Sequence, residues 1–233
     1  MGKNKISRFI ELDSFKNVIQ PGLDEIFNTP FRLKGKWRKE YFRNNYPVIL
    51  ELGCGKGEYT VSLAERYPLA NFIGVDIKGA RIWVGARYAI DHCLNNVAFI
   101  RTRVEFIGSF FSINEIDEIW LTFPDPQLKR KRNKKRLTAP VFLEMYSQFL
   151  KREGIIHLKT DNRELFDYTR DLALKNKFRI HNITENLYSS EIDGAAKEIK
   201  TYYERSFLDK GMNIYYISFS LEHDKKIEES SEG

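Results

Sequence analysis

Cysteine and histidine are scarce in this sequence of 233 residues, which contains two cysteines and four histidines. Cys54 and Cys93 form no C-x-x-C pair and the histidines are scattered, so neither a disulfide framework nor a bound metal is predicted. Long apolar runs are absent too, because residues 47–52 and 214–220 fall far short of the roughly 20 that a membrane span needs. No apolar segment follows the basic N-terminus, so we expect no secretory signal, no membrane partner and a cytoplasmic location.

Positive charge is concentrated in one segment of the chain. The formal net charge is +6, and seven of the eight residues 129–136 are lysine or arginine. Such a run is typical of proteins that bind a polyanion, although a solvated charge cluster or a localisation signal is the alternative for the run in isolation. The sequence leaves open whether the protein is a monomer or a homodimer.

Apolar, strand-like runs alternate with helix-like patterns along most of the chain. The predicted strands are residues 48–52, 72–76, 97–100, 118–123, 154–159, 178–183 and 214–221. This alternation predicts an α/β, Rossmann-like fold with a seven-stranded, mostly parallel sheet and helices on both faces. We interpret residues 1–45 as an N-terminal extension, 46–222 as a catalytic domain and 223–233 as a disordered tail.

A glycine-rich turn follows the first predicted strand. Residues 51–57 read Glu-Leu-Gly-Cys-Gly-Lys-Gly, and glycines there let the backbone turn sharply and a ligand approach closely. The dinucleotide pattern G-x-G-x-x-G fails, because its last position is Glu58. Glu51 would repel a pyrophosphate but can accept a hydrogen bond relayed from an ammonium group, and Asp76 can bind both hydroxyls of a ribose. The pattern indicates S-adenosylmethionine rather than NAD, with a bare turn and two solvated carboxylates as the alternative.

A second group of residues follows the fourth predicted strand. Residues 123–126 read Phe-Pro-Asp-Pro, and the two prolines restrict the backbone on both sides of Asp125. The basic run begins three residues later, which favours a catalytic acid beside a phosphate-binding segment over a plain surface turn. Asp161 and Glu204 are candidates for contacts to guanine, because a carboxylate can accept hydrogen bonds from its N1–H and exocyclic amine. For each of them alone, a helix cap or a surface acid is the alternative.

Together these motifs resemble those of the tRNA (guanine-N7-)-methyltransferases. The matching pieces are residues 51–57, 74–76, 123–126 with Lys129 and the basic run, 160–161 and 201–204. The resemblance implies the class I S-adenosylmethionine-dependent methyltransferase fold in residues 46–222, and methylation of guanine 46 in the variable loop of tRNA. Asp125 would be the catalytic acid. The candidate cofactor-binding residues are Glu51, Gly53, Gly55, Asp76, Thr102 and Asp125, and the candidate substrate-binding residues are Lys129, Asp161, Thr201, Tyr203 and Glu204.

The sequence departs from the family pattern at two places. Family members commonly carry an acid after the third strand that reaches the adenine, and here Thr102 stands at that position. Many members also have an aromatic residue and a histidine after the F-P-D-P motif, where this chain has Gln127 and Leu128.

Two other classes of function remain compatible with parts of the sequence. An S-adenosylmethionine-dependent methyltransferase for another RNA or a small molecule would share the glycine turn, and the basic run and the late T-Y-Y-E motif argue against a small molecule. A non-enzymatic RNA-binding module would not need acids at the ends of two adjacent strands. Binding of S-adenosylmethionine separates this last class from the enzymes.

Overall fold

A computed structural model describes residues 3–223 and 225–229. The backbone divides into two compact units, residues 1–116 and 117–233. Both units combine strands with helices, which confirms the predicted α/β class. Within the described residues, no helix is long and apolar enough to cross a membrane.

The first unit contains four strands that lie in the order β1-β4-β3-β2 and pair in parallel. Its strands are β1 (Val18–Ile19), β2 (Val48–Leu52), β3 (Asn71–Asp76) and β4 (Val97–Arg101), and its helices are α1 (Lys3–Leu12), α2 (Leu23–Phe27), α3 (Glu58–Arg66) and α4 (Gly79–Asp91). Leu50, Ile73 and Phe99 are fully buried, as expected for parallel strands that are covered on both faces and are therefore mostly apolar. The register pairs Asp76 with Arg101 and thereby brings the carboxyl ends of β3 and β4 to one edge.

The N-terminal extension is part of the first unit. Strand β1, which the sequence did not predict, adds to the edge of the sheet by pairing with β4. Helix α1 packs against α4, and Leu12, Phe15 and Ile19 are buried. A one-turn π-helix, Trp37–Phe42, buries Trp37 completely. The apolar residues of this segment therefore serve the core of the unit.

In the second unit the strands lie in the order β5-β6-β8-β7. Its elements are β5 (Ile116–Thr122), α5 (Pro140–Ser147), β6 (Leu150–Thr160), α6 (Arg163–Lys175), β7 (Arg179–Thr184), α7 (Ala195–Glu198), α8 (Tyr202–Leu208) and β8 (Tyr215–Ser220). Strand β8 is antiparallel to both β6 and β7. Asn162 caps helix α6 by accepting a hydrogen bond from the Leu165 amide at 2.8 Å, so α6 begins directly after β6 ends. The two short helices in the connection before β8 were not predicted.

Part of the C-terminal tail is docked on the second unit, so the expected disorder does not hold for residues 225–229. Ile227 is buried, and its amide donates to a carboxylate oxygen of Glu144 at 3.2 Å. Asn176 exchanges hydrogen bonds with the backbone of Glu228 at 2.8 and 2.9 Å. These contacts satisfy backbone groups that a disordered tail would leave to water. Residues 224 and 230–233, which the same expectation included, lie outside the described residues.

Candidate functional site

The glycine turn of the first unit is held by the end of strand β3. The amides of Gly53 and Cys54 both donate to the carbonyl oxygen of Val75, at 2.8 and 3.0 Å. The amide of Gly55 donates to Oδ2 of Asp76 at 3.0 Å. The second oxygen of Asp76, Oδ1, accepts from the amide of Lys78 at 2.7 Å. Asp76 therefore fixes the turn, and each of its oxygens keeps a second lone pair for a ligand hydroxyl.

The glycines of this turn are required for different reasons. Gly55 has a φ of +55°, and a Cβ built on it meets no atom within 4 Å, so a ligand can approach the backbone there. Gly57 has a φ of +72°, but a Cβ there would lie 2.6 Å from the ring of Phe99. Gly85 of α4 is as crowded, because its Cβ would lie 2.7 Å from the carbonyl oxygen of Lys56. The glycines were expected to allow a sharp turn and the close approach of a ligand, and Gly57 in addition serves the packing of the turn on β4 and α4.

Two further polar groups lie in this part of the first unit. Glu51 is buried on β2, and the hydroxyl of Thr60 donates to its carboxylate. Burial, followed by the charges of Glu51 and Asp76, raises the pKa of the Cys54 thiol well above its usual value. The thiol therefore stays protonated at neutral pH and is a poor nucleophile.

Thr102, the residue that departs from the family pattern, is also buried here. Its amide donates to the carbonyl oxygen of Asp76 at 3.2 Å. Its hydroxyl is buried without a hydrogen-bond partner in the described part of the chain. A buried hydroxyl in this situation favours a ligand that can supply the missing hydrogen bond. We call Glu51, the glycine turn 53–57, Asp76 and Thr102 the cofactor cluster.

The F-P-D-P turn of the second unit presents Asp125 at the surface. Phe123, the first residue of the motif, and Gln127, the residue that follows it, have positive φ values of 49° and 50°. The amide of Gln127 donates to Oδ1 of Asp125 at 3.0 Å. Asp125 is exposed. Its carboxylate is nevertheless held in one place, because Pro124 and Pro126 restrict the backbone on both sides of it.

The last residue of the basic run has a structural role. Arg136 is 2% exposed and donates from Nε to the carbonyl oxygen of Pro126 at 3.0 Å. Its guanidinium also pairs with Glu164 and lies 4.5 Å from the ring centre of Tyr168. Arg136 therefore stabilises the F-P-D-P turn through its hydrogen bond to Pro126 and is not available to a phosphate. Five other basic side chains of the run are exposed: Lys129, Lys131, Arg132, Lys134 and Lys135.

Asp161 follows the carboxyl end of strand β6. Its side chain is half-buried, and no ion pair to it is found among the described residues. Loss of solvent raises the pKa of this carboxyl above its usual value, an effect that the hydrogen bond from its own amide opposes. A partly desolvated carboxylate of this kind is a candidate for binding a donor group of a substrate.

Replacing Asp161 by asparagine is expected to stabilise the protein at neutral pH. Because the pKa is raised in the folded state, the native protein holds this proton more tightly than the unfolded chain, and stability falls as the pH rises through that range. The D161N variant should therefore melt at a higher temperature than the wild type at neutral pH, and the difference should shrink as the pH falls towards the usual carboxyl range. Thermal unfolding at a series of pH values tests this, with the exposed Asp193→Asn as the matched control. A lower melting temperature for D161N throughout would contradict it.

The T-Y-Y-E motif forms the first turn of helix α8. Thr201 is the N-cap: its hydroxyl accepts from the Glu204 amide at 3.3 Å, and Glu204 Oε2 accepts from the Thr201 amide at 3.3 Å. Glu204 is fully buried, whereas Tyr202 and Tyr203 are 65% and 53% exposed. The motif therefore presents two aromatic rings and hides its carboxylate.

Two residues that the sequence analysis missed complete this arrangement. The ammonium nitrogen of Lys159, also fully buried, lies 2.7 Å from Glu204 Oε1, and the hydroxyl of Tyr188 donates to the same oxygen. A lysine inside the apolar run of a buried strand was the available signal for Lys159. We call Asp125, Lys129, Asp161 and residues 201–204 the substrate cluster.

Comparison with known proteins identifies the family of this chain. A family model described as "Putative methyltransferase" matches residues 45–217. The tRNA (guanine-N(7)-)-methyltransferase of Bacteroides thetaiotaomicron is 48% identical over 98% of this chain and 90% of its own length. That of Christiangramia forsetii is 50% identical over 94% of this chain and 98% of its own. The chain belongs to the tRNA (guanine-N(7)-)-methyltransferase family.

A likeness to solved structures confirms the predicted class I methyltransferase fold. The crystal structure of the 16S rRNA methyltransferase KamB superimposes with a TM-score of 0.61, covering 81% of this chain and 94% of KamB at 12% identity. At this identity the likeness concerns the fold alone. The roles of individual residues in this member of the tRNA (guanine-N(7)-)-methyltransferase family must therefore be argued from its own cofactor and substrate clusters.

Proposed function

We propose that this protein transfers a methyl group from S-adenosylmethionine to N7 of a guanine in tRNA, at position 46 of the variable loop. The observation that carries the proposal is the identity of 48% over 98% of the chain to a relative named for that reaction. We further propose that the protein acts in the cytoplasm, as a monomer or a homodimer.

The cofactor cluster fits the three parts of S-adenosylmethionine. Asp76 is suited to the two ribose hydroxyls, because both of its oxygens retain acceptor capacity beside the backbone amides that they bind. Glu51 is suited to a relayed hydrogen bond from the ammonium group. The exposed Gly53 and the open backbone of Gly55 are suited to close approach of the cofactor. The buried Thr102 hydroxyl is suited to the adenine edge, where other family members use an acid. When bound, the cofactor supplies a sulfonium-activated methyl group.

The two glycines of this turn provide a test of the cofactor assignment. Gly55→Ala is expected to lower the affinity for S-adenosylmethionine, because the added Cβ points to the open side of the turn. Both alanine variants carry left-handed strain of about 1–2 kcal/mol, because both positions have a positive φ. Gly57→Ala also overpacks the core against Phe99, so it is expected to lower the free energy of unfolding by about 3 kcal/mol in total.

Calorimetric titration and thermal unfolding of both variants distinguish the two effects. Gly194→Ala is the matched control, because Gly194 also has a positive φ and an open Cβ position but lies in the other unit. If G55A bound S-adenosylmethionine as the wild type does, the turn would not be the cofactor site.

The reaction requires alignment more than proton transfer. Guanine N7 carries a free lone pair at neutral pH, so attack on the methyl group needs no strong base. Holding the two reacting atoms in line can contribute about 7–11 kcal/mol to lowering the barrier. We assign two roles to Asp125: it stabilises the positive charge that develops on the purine ring, and it contacts the cofactor. Asp161 is suited to accept hydrogen bonds from the guanine edge.

The exposed lysines and arginines of residues 129–135 are assigned to the phosphates of tRNA. Contacts of this kind supply affinity that does not depend on sequence and weakens with added salt. Lys129 stands closest in sequence to Asp125 and is exposed, so it is suited to orient the substrate backbone beside the catalytic acid.

The decisive experiment is transfer of labelled methyl from S-adenosylmethionine to unmodified bulk tRNA, followed by nucleoside analysis. Label in 7-methylguanosine is the expected result, and a transcript with adenine in place of guanine 46 should accept none. Label in another nucleoside, or none in tRNA although the cofactor binds, would overturn the proposal in favour of another RNA or a small molecule. Light scattering on the same preparation distinguishes a monomer from a homodimer.

A further inference from the structure

Lys159 connects three segments of the second unit. Its ammonium group lies 2.7 Å from Glu204 Oε1 and donates to the carbonyl oxygen of Ile199 at 2.9 Å. Its own carbonyl oxygen accepts from the amide of Phe123 at 2.8 Å, at the start of the turn that carries Asp125. Two residues further along β6 is Asp161. Lys159 therefore contacts Glu204 and Ile199 through its side chain, and Phe123 through its backbone.

The carboxylate of Glu204 is engaged on both oxygens. Oε1 receives Lys159 and the hydroxyl of Tyr188, and Oε2 receives the amide of Thr201. Glu204 and Lys159 are both fully buried, so neither carboxylate oxygen faces a surface that a nucleic acid could reach. A base edge could bind Glu204 only if this network were broken and the ammonium group of Lys159 were left buried without its counter-charge, which is costly.

We propose that Lys159 and Glu204 form a positioning pair, which fixes the first turn of α8, and that Glu204 does not read the guanine. The inference rests on the proposed function, because it assigns how the substrate cluster is held for that reaction. Guanine selection then falls to the half-buried Asp161, and residues 201–203 present a fixed surface to the substrate. Burial lowers the pKa of Lys159, and the charge of Glu204 opposes this effect, as expected for a pair whose members depend on each other.

The test compares Lys159→Met, Glu204→Gln and the double variant K159M/E204Q with the wild type. The control is Lys151→Met. Lys151 lies on the same strand, β6, but its side chain is partly exposed and pairs with Asp117. The substrates are two synthetic tRNAs that carry either guanine or inosine at position 46. Inosine retains N1–H and N7 but lacks the exocyclic amine, so a carboxylate that reads the amine discriminates between the two.

Each single variant is expected to lower kcat/KM for tRNA by about 10- to 100-fold, the effect of a small misplacement of reacting groups. The affinity for S-adenosylmethionine and the ratio of guanine to inosine methylation should stay at their wild-type values. The double variant should lose less than the product of the two single losses, because the two residues act through one contact. K151M should behave as the wild type.

Three results would overturn the inference: loss of guanine over inosine preference in E204Q, strictly multiplicative losses in the double variant, or wild-type activity in K159M. If K159M alone fails to fold, E204Q and the double variant still decide, because circular dichroism and cofactor binding report their folding independently of activity. A wild-type enzyme that makes no 7-methylguanosine in tRNA would instead refute the proposed function itself, so the two failures are distinguishable.

Discussion

Replacing Asp125 by alanine is expected to lower kcat for tRNA methylation by about 10²- to 10³-fold, the loss typical of removing one group that stabilises charge in a transition state. The carboxylate is exposed, held by the Gln127 amide and flanked by two prolines, so it is fixed before substrate arrives. A fixed negative charge next to a purine that becomes positive on methylation stabilises the transition state more than the ground state. Single-turnover rates at saturating tRNA and cofactor measure the effect.

A second substitution at the same position separates charge from shape. Asp125→Asn preserves the size of the side chain and an oxygen that can accept from Gln127, so it should lose activity only if the charge matters. Glu153→Ala is the control, because Glu153 is an 89% exposed acid near the start of β6, away from its carboxyl end. Wild-type turnover in D125A would remove Asp125 from the reaction, whereas loss in D125A but not in D125N would leave it a positional role.

The parts of the fold that could be predicted from the sequence are those with a local signal, such as an apolar run or a group of glycines. Strand β2, the glycine turn and α3 follow each other within 20 residues, and each has its own signal in apolar runs and glycines. Asp76, the acid at the end of β3, could be assigned to the cofactor because it directly follows an apolar run. In the structure it accepts a hydrogen bond from the Gly55 amide of the turn. Family membership and fold class are confirmed by the relatives.

The parts that escaped prediction depend on contacts between residues far apart in the chain. Strand β1 has two residues and exists because β4 offers it an edge, so no local pattern could reveal it. The sequence of the basic run does not distinguish Arg136, which is buried by Glu164 and Tyr168, from its exposed neighbours. Likewise, Glu204 does form the helix cap that is its alternative, but no local pattern indicates that it is buried against Lys159, 45 residues earlier.

Replacing Asp76 by alanine is expected to raise the Kd for S-adenosylmethionine by about 10- to 100-fold, because a hydrogen bond to a charged group contributes about 1.5–3 kcal/mol and each 1.4 kcal/mol is a factor of ten. The substitution removes the acceptors proposed for the ribose hydroxyls. It also releases the Gly55 and Lys78 amides, so the glycine turn loses the group that fixes it. Isothermal titration with S-adenosylmethionine, and with its demethylated product S-adenosylhomocysteine, measures the loss.

The comparison of Asp76→Ala with Asp76→Asn assigns that loss to its source. The aspartate has four donors: the Gly55 and Lys78 amides and the two proposed ribose hydroxyls. Asparagine keeps one carbonyl oxygen, which cannot accept from all four, so the Kd of D76N should fall between those of the wild type and D76A. Asp91→Ala, which removes a surface carboxylate paired with Arg87, should bind as the wild type does. An unchanged Kd in D76A would show that the ribose lies elsewhere. Equal losses in both variants would mean that the negative charge itself, rather than the number of acceptors, holds the cofactor.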